Sequence, residues 1–501
     1  MDSREALGIA FIALVFASSH LLLFDSRPLF KDEALYAQTI SELLQQPEIL
    51  PAFNGETFTW KPMLFFYYCS PVVLAARDVL PVGIENQYRA APAIAGFAAT
   101  LALFFLLKRL TGNADLSILA AAAYAASNVT ALADTALLTD STLMLLTLSG
   151  LYFYVRAGEA HSSRDSGRMR LFLAAASAAS FLAFLTKTYA ALLLPALAVA
   201  HFFFSDRKFL ARPAFIATFA APALAAALHA ALFASQGLLA PLLVEYFFNA
   251  QRAQPFTYKL GGDILVSLVL LAFYAFPWFV FAGKGIMGAR PLKGPDVLMA
   301  FWLLFALPGL VGTTMYWYFL PLIPPTAYFA AKGILEGGKL DKLTAAFFVL
   351  LLAFSIILGP YSRPFAETDA RELGYMLSGK QDVLVIANWS PTILFYKAHD
   401  ESPGERAATK WVFATDSAKL GEPDVRALMA NSGAPANSTF TFSGGLNDLF
   451  TTRDFLIDGP DLEWRYVAID SGLYRNYSRL FDAYGAPAFT KGLSYAVVEK
   501  R

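Results

Sequence analysis

The sequence predicts a mostly α-helical polytopic membrane protein that carries a small α/β domain at its C-terminal end. Three observations predict it. The chain of 501 residues is 57% hydrophobic and only 16% charged, too apolar for a soluble domain. Apolar windows long enough to cross a bilayer, about 17–25 residues, recur up to Pro360. Beyond Pro360 the composition turns to ordinary polarity and no spanning window follows. The predicted division is a membrane domain over 1–360 and a soluble extracytoplasmic domain over 361–501.

The first window, 7–24, has a small-residue end at Ala17-Ser18-Ser19 that a signal peptide would also show. It is read as an uncleaved first helix because many more windows follow. They lie near 88–107, 115–132, 136–155, 170–186, 188–205, 213–234, 264–283, 296–312, 315–331 and 343–360, about eleven spans in all. The window 62–80 is also long enough, but it holds Pro71 and ends at Arg77 and Asp78. Loop charge decides its place. With 62–80 outside the bilayer, five basic loops fall on one side: Lys108-Arg109, Arg156 to Arg170, Arg207 to Arg212, Lys284 to Lys293 and Lys332 to Lys342. The positive-inside rule makes that side cytoplasmic. Residues 62–80 then form a helix lying in the outer interface. The loops 25–87 and 236–262 and the C-terminal tail face away from the cytoplasm.

In the tail, 367–377 reads as a helix and 382–387 as a buried strand. Ser390 caps a short helix through Tyr396, and another helix runs near 423–431. Strands follow at 438–442, 465–469 and 495–498. No nucleotide loop, metal spacing or nucleophile motif stands out there. The formal net charge is zero, so bulk charge says nothing about nucleic acid or acidic partners, and what matters is where the charges lie. The single cysteine, Cys69, excludes an intrachain disulfide framework and a thiolate metal site.

Polar residues collect at the outer ends of the windows. Asp32-Glu33 opens a helix pattern in the first outer loop, with Tyr36 one turn on and on the face of Asp32. Two acids in a first turn satisfy the helix dipole, and a carboxylate near the membrane surface can also act as a general base. Lys61, in Trp60-Lys61-Pro62, either snorkels or pairs with a lipid phosphate. Arg89 opens the next window from the outer side, against the charge bias. Asp140 lies near the outer end of its window, where an acid is costly and marks a functional-site candidate. Asp134, in the turn before it, reads as a solvated turn residue or cap. Lys187 is a lone cation between two apolar runs, and the outer loop 236–262 adds Arg252.

Taken in order, these residues resemble the GT-C superfamily of integral-membrane glycosyltransferases. The resemblance covers about residues 7–335. It is nearest to the protein O-mannosyltransferases and to the aminoarabinose and galacturonic-acid transferases of lipopolysaccharide. Asp32-Glu33-Ala34-Leu35-Tyr36 stands for the family's Asp-Glu-x-x-Tyr, and Lys61-Pro62-Met63-Leu64 for its Lys-Pro-Pro-Leu. Arg89, Thr139-Asp140 and Leu185-Thr186-Lys187 follow in the family's order. Gln254-Pro255-Phe256, Pro277-Trp278 and Tyr318-Phe319-Leu320-Pro321-Leu322 match later motifs. Trp60 replaces a Glu, and no His precedes Gln254. Both departures count against a metal and against an aminoarabinose donor.

The resemblance implies sugar transfer from a polyprenyl phosphate to an acceptor on the non-cytoplasmic face of a bacterial inner membrane. Lipid A or lipopolysaccharide, another envelope glycan and a protein hydroxyl are the acceptor classes. It implies Asp32 as base with Glu33 beside it, Asp140 positioning the base or the acceptor, and Lys61, Arg89 and Lys187 as a phosphate clamp. Tyr36, Arg252 and Tyr318 line the substrate site. The lipid-linked sugar is a substrate, and no cofactor or metal is assigned. The partners expected besides it are membrane lipids and envelope acceptors, with no nucleic acid. The competing reading is a secondary transporter or a lipid-linked-sugar flippase. Transporters place their ion sites at the midplane, on broken helices of repeated halves. Here the charges gather at the outer ends.

Overall fold

Helices dominate the computed structural model. It describes residues 3–20, 28–53, 56–59, 61–79, 82–244, 269, 271, 275–289, 291–292, 294–307, 316–338, 343–344, 365–380, 383–387, 390–398, 409–414, 440–442, 466–470, 487–489 and 495–499. The chain divides into two units: Met1–Asp25 with Thr59–Tyr361, and Ser26–Phe58 with Ser362–Arg501. The cut near 361 coincides with the composition change in the sequence. The inclusion of 26–58 in the second unit does not follow from composition.

Helix α1 (Ser3–His20) opens the first unit, and α2 (Lys31–Gln45) belongs to the second. The first unit continues with α3 (Leu64–Val79), α4 (Ile84–Thr111), α5 (Ala114–Ala125) and α6 (Asn128–Asp134). Next come α7 (Asp140–Ser162), α8 (Ser166–Lys187) and α9 (Leu193–Ser205). Helices α10 (Ala220–Ser235), α11 (Trp278–Gly288), α12 (Pro295–Ala306) and α13 (Ile323–Glu336) follow among the described residues, with shorter helical turns between them. Among the described residues three stretches, Ile84–Thr111, Ser166–Ser205 and Pro213–Ser235, are long and apolar enough to cross a membrane. Helices α5 and α6, bent by 63°, make up a fourth if taken as one span. The expected eleven windows are matched only in part, and most of 343–360 lies outside the described residues.

The 40-residue stretch Ser166–Ser205 is broken by a 3-10 turn, Thr188–Leu192. A Cβ on Gly150 of α7 would meet Leu194 at 2.4 Å and Ala179 at 3.1 Å, and one on Gly158 would meet Phe202 at 2.6 Å. So α9 runs parallel to α7 while α8 returns against it. The chain reverses at 188–192, as the separate windows 170–186 and 188–205 require.

The two ends of this bundle differ in charge. Arg4 pairs with Asp115, Lys108 with Glu5, and Arg109 and Arg156 with Glu159. These contacts put the start of α1, the α4–α5 turn and the end of α7 together. Gly112 caps α4 there at φ 66°, a left-handed turn that glycine adopts without strain. The reversals at 135–139 and 188–192 lie at the opposite end. The basic turns from Lys108 to Arg168 thus share one end, as the loop-charge argument requires. Between α11 and α13 the backbones touch: a Cβ on Gly285 would lie 2.0 Å from the Phe329 carbonyl oxygen, and one on Gly333 2.3 Å from that of Phe281.

The second unit contains a six-stranded sheet in the order β5-β4-β3-β6-β8-β7. Its strands are β3 (Val383–Ala387), β4 (Thr409–Ala414), β5 (Phe440–Phe442), β6 (Tyr466–Asp470), β7 (Ala488–Phe489) and β8 (Tyr495–Glu499). Strands β5, β4, β3 and β6 are parallel, with Val383 opposite both Thr409 and Tyr466. Strands β8 and β7 close the edge antiparallel. The unbroken apolar run of β3 suits a central parallel strand. Helices α14 (Phe365–Leu377) and α15 (Ser390–Ala398) flank it. A hairpin of two-residue strands, β1 (Ala52–Phe53) with β2 (Glu56–Thr57), and helix α2 also belong to the unit. The expected strands at 382–387, 438–442, 465–469 and 495–498 all appear, shifted by at most a residue or two. Strands β4 and β7 have no counterpart in the sequence expectation, and the helix near 423–431 lies outside the described residues.

Candidate functional site

In the first unit, the end opposite the basic turns holds an ion pair. Asp140 stands at the first position of α7 and Lys187 at the last of α8. Each charge suits its helix end, an acid at an N-terminus and a cation at a C-terminus. The Lys187 Nζ donates to Asp140 Oδ1 at 2.7 Å, with side-chain exposures of 15% and 8%. Partial burial makes this pair less screened than a surface pair. The Nζ also lies 4.8 Å from the centre of the Tyr318 ring, in cation–π contact. Tyr318 comes from the 3-10 segment Tyr316–Leu322, which packs against α6 and α7. Three residues singled out in sequence, Asp140, Lys187 and Tyr318, therefore meet.

Arg89 lies fully buried in the first turns of α4, and it is engaged there. A buried guanidinium is tolerated only when paired. Lys61 is half-buried just ahead of α3. Helix α3 is tied to α4 by Tyr68, whose hydroxyl donates to the Ala91 carbonyl at 2.9 Å, and by Arg77, which donates to the Tyr88 hydroxyl at 3.0 Å. Burial in α3 pushes the Cys69 thiol up, so it stays a protonated packing group.

Asp134 is a correction. The sequence predicts a solvated turn residue or cap, yet Asp134 is fully buried. Its Oδ2 lies 3.1 Å from His20 Nε2, and its Oδ1 accepts from the Ser141 hydroxyl at 2.6 Å. His20 in turn contacts the Ser19 hydroxyl at 2.8 Å. Gly96 makes the room: a Cβ there would lie 2.0 Å from the Asp134 Cγ. The network joins α1, α4, α6 and α7 beside Asp140. Only one signal was available in sequence, the rule that an acid among apolar residues is functional by default. It applied to Asp134 as much as to Asp140.

In the second unit, α2 starts at Lys31 after Phe30. Glu33 is buried, and its Oε2 accepts the Phe30 N–H at 3.0 Å, so it closes the first turn. Asp32 keeps part of its surface exposed. Tyr36 is buried, with its ring edge-on to Phe58 at 6.3 Å between centroids. Its first role is packing. Trp60, Arg252 and the rest of the Gln254-Pro255 motif lie outside the described residues. Among the described residues no three His, Cys, Asp or Glu side chains converge.

Residues 83–233 match the family model described as dolichyl-phosphate-mannose-protein mannosyltransferase. That stretch contains Arg89, Asp140 and Lys187. The fold matches a crystal structure of ArnT from Cupriavidus metallidurans bound to undecaprenyl phosphate, with TM-score 0.68 and 15% identity over 98% of this chain and 97% of that one. It also matches the Archaeoglobus fulgidus oligosaccharyltransferase in complex with Zn and sulfate, with TM-score 0.56 and 14% identity over 98% and 73%. A third match is the archaeal oligosaccharyltransferase AglB from Archaeoglobus fulgidus, in complex with an inhibitory peptide and a dolichol-phosphate. Its TM-score is 0.56 at 12% identity, over 100% of this chain and 74% of that one. No curated protein matches the sequence. At these identities the likenesses show the fold alone, which this chain shares with ArnT and with the archaeal oligosaccharyltransferase.

Proposed function

We propose that this protein is a membrane glycosyltransferase that moves a sugar from a polyprenyl-phosphate donor to an acceptor on the non-cytoplasmic face. The carrying observation is the Asp140–Lys187 pair against Tyr318, at the bundle end opposite the basic turns. A lysine there suits a lipid phosphate at the outer surface. Undecaprenyl phosphate and a dolichol-phosphate bound to fold relatives support a lipid phosphate as carrier.

The chemistry follows from the leaving group. The acceptor oxygen attacks the anomeric carbon, and the carbon–oxygen bond to phosphate breaks. The phosphate leaves with the bonding electrons, and a carboxylate takes the acceptor's proton. Asp32 is assigned that proton. Asp140 orients the reacting groups through Lys187, and Lys61, Arg89 and Lys187 balance the charge that grows on the phosphate. Tyr36, Arg252 and Tyr318 are assigned to substrate contacts. About eleven spans, a bacterial inner membrane and a periplasmic active site complete the reading. The acceptor is a lipopolysaccharide, another envelope glycan or a protein hydroxyl.

The test incubates the purified, reconstituted protein with a panel of labelled undecaprenyl-phosphate sugars: hexoses, aminopentoses and uronic acids. Release of free undecaprenyl phosphate from at least one of them is expected. Movement of an intact lipid-linked sugar across the bilayer, with no release, would make the protein a flippase or transporter instead.

A further inference from the structure

The entry to α2, whose first turn carries Asp32, is bonded to a helix distant in sequence. Leu29, three residues before Asp32, is fully buried. Its backbone N–H donates to the Tyr396 hydroxyl at 3.1 Å, and its carbonyl accepts from the Thr392 hydroxyl at 3.0 Å. A buried main-chain group left without a partner is costly. Both groups of Leu29 find their partners in side chains 367 and 363 residues away. Thr392 and Tyr396 are four residues apart, on one face of α15. Both are buried, and Tyr396 is packed in turn against α14, where a Cβ on Gly374 would lie 2.6 Å from the Tyr396 Cβ. Helix α15 follows β3, a central strand of the sheet. The next polar groups are also taken: the Phe30 N–H by Glu33, and the Phe30 carbonyl by the Ala34 N–H at 2.8 Å.

From this geometry we infer that Thr392 and Tyr396 are positioning residues for the transfer reaction. They clamp Leu29, and the clamp sets where the first turn of α2 presents the Asp32 carboxylate. The C-terminal domain thereby takes part in catalysis by orienting the base. The inference rests on the reading of Asp32 as that base. A clamp with one donor and one acceptor on a single residue fixes both its translation and its rotation. General-base catalysis is sensitive to such placement, and a shift of about 1 Å can cost about 10²-fold in rate.

The test uses the full-length protein and whichever undecaprenyl-phosphate sugar the wild type turns over. Thr392→Val and Tyr396→Phe each remove one hydroxyl at nearly constant shape. Each is expected to lower kcat about 3- to 10-fold, the weight of one hydrogen bond. KM for the donor and Kd for undecaprenyl phosphate stay at wild-type values. Thr392→Ser keeps the hydroxyl and keeps kcat. In an Asp32→Asn background Thr392→Val has no further effect, because a positioning residue acts only through the group it positions. Wild-type kcat in both hydroxyl-deleted variants, with Asp32→Asn inactive, overturns the inference. So does an equal loss from Thr392→Val with and without Asp32, which makes the clamp merely structural. A fully active Asp32→Asn removes the base assignment itself, a failure that the background variant reveals separately.

Discussion

Asp32 and Glu33 are adjacent carboxylates with different employment. Glu33 is buried and committed to the Phe30 N–H, whereas Asp32 keeps exposed surface. Removing a general base costs about 10²–10⁴-fold in rate. Asp32→Asn is therefore expected to lose that much turnover while still binding undecaprenyl phosphate. Glu33→Gln keeps an oxygen to accept the Phe30 N–H and should stay within about 10-fold of wild type. Steady-state turnover of the two purified variants checks this, and the reverse order would mean the base is Glu33. Lys187 makes a second case. Its Nζ serves Asp140 and the Tyr318 ring at once. If a donor phosphate also uses it, Lys187→Ala should weaken undecaprenyl phosphate binding about 10- to 100-fold, the scale of a charged hydrogen bond. Lys187→Arg should recover part of the loss, since a planar fork does not replace a point charge. Titration of the lipid into the reconstituted protein measures it. Unchanged affinity would leave Lys187 as the partner of Asp140 alone.

Helix contacts in the first unit depend on a few seats where no side chain fits. Gly333 of α13 faces the Phe281 carbonyl, and Gly96 of α4 faces the Asp134 carboxylate. A Cβ at either would stand 2.3 Å or 2.0 Å from an occupied position, so the helices must separate or the network must shift. Overpacking of this kind costs about 1–3 kcal/mol. Gly333→Ala and Gly96→Ala are both expected to lower the thermal midpoint in detergent. Gly283, on α11 near the same crossing, has nothing within 4 Å of its Cβ position. Gly283→Ala should leave the midpoint unchanged or raise it, since alanine favours the helix. Equal losses at all three sites would mean that the close approach of α11 and α13 carries no stability.

Across the chain, charge and fold make a joint claim about sidedness. Arg168 lies in the first turn of α8 at the basic end, and Glu48 and Tyr375 lie in the second unit. All three positions are accessible, and the single native cysteine is buried, so it adds little labelling background. Cysteines placed singly at Glu48 and Tyr375 should react with an impermeant maleimide from the non-cytoplasmic side, and one at Arg168 should not. Labelling at 168 from that side would invert the topology and remove the outer-face site.

Much of this architecture is legible in the sequence alone. Unlike the parallel pairing of β3 with β4 and β6, helical class, the basic turns and the positions of four C-terminal strands come from hydropathy, charge and periodicity. These are free energies of short windows, largely indifferent to the rest of the chain. The ordered series Asp32, Lys61, Arg89, Asp140, Lys187 was enough to suggest the fold family. Which buried group meets which could not be read the same way. Asp140 and Lys187 are 47 residues apart, and His20 and Asp134 are 114 apart. Asp134 reads as a turn acid until Gly96, Ser141 and His20 close around it. The first outer loop reads as part of the membrane domain until Thr392 and Tyr396 take the polar groups of Leu29. A polar group excluded from water must find a partner, but no local rule names that partner. Packing of distant helices brings one segment and not another within hydrogen-bonding reach.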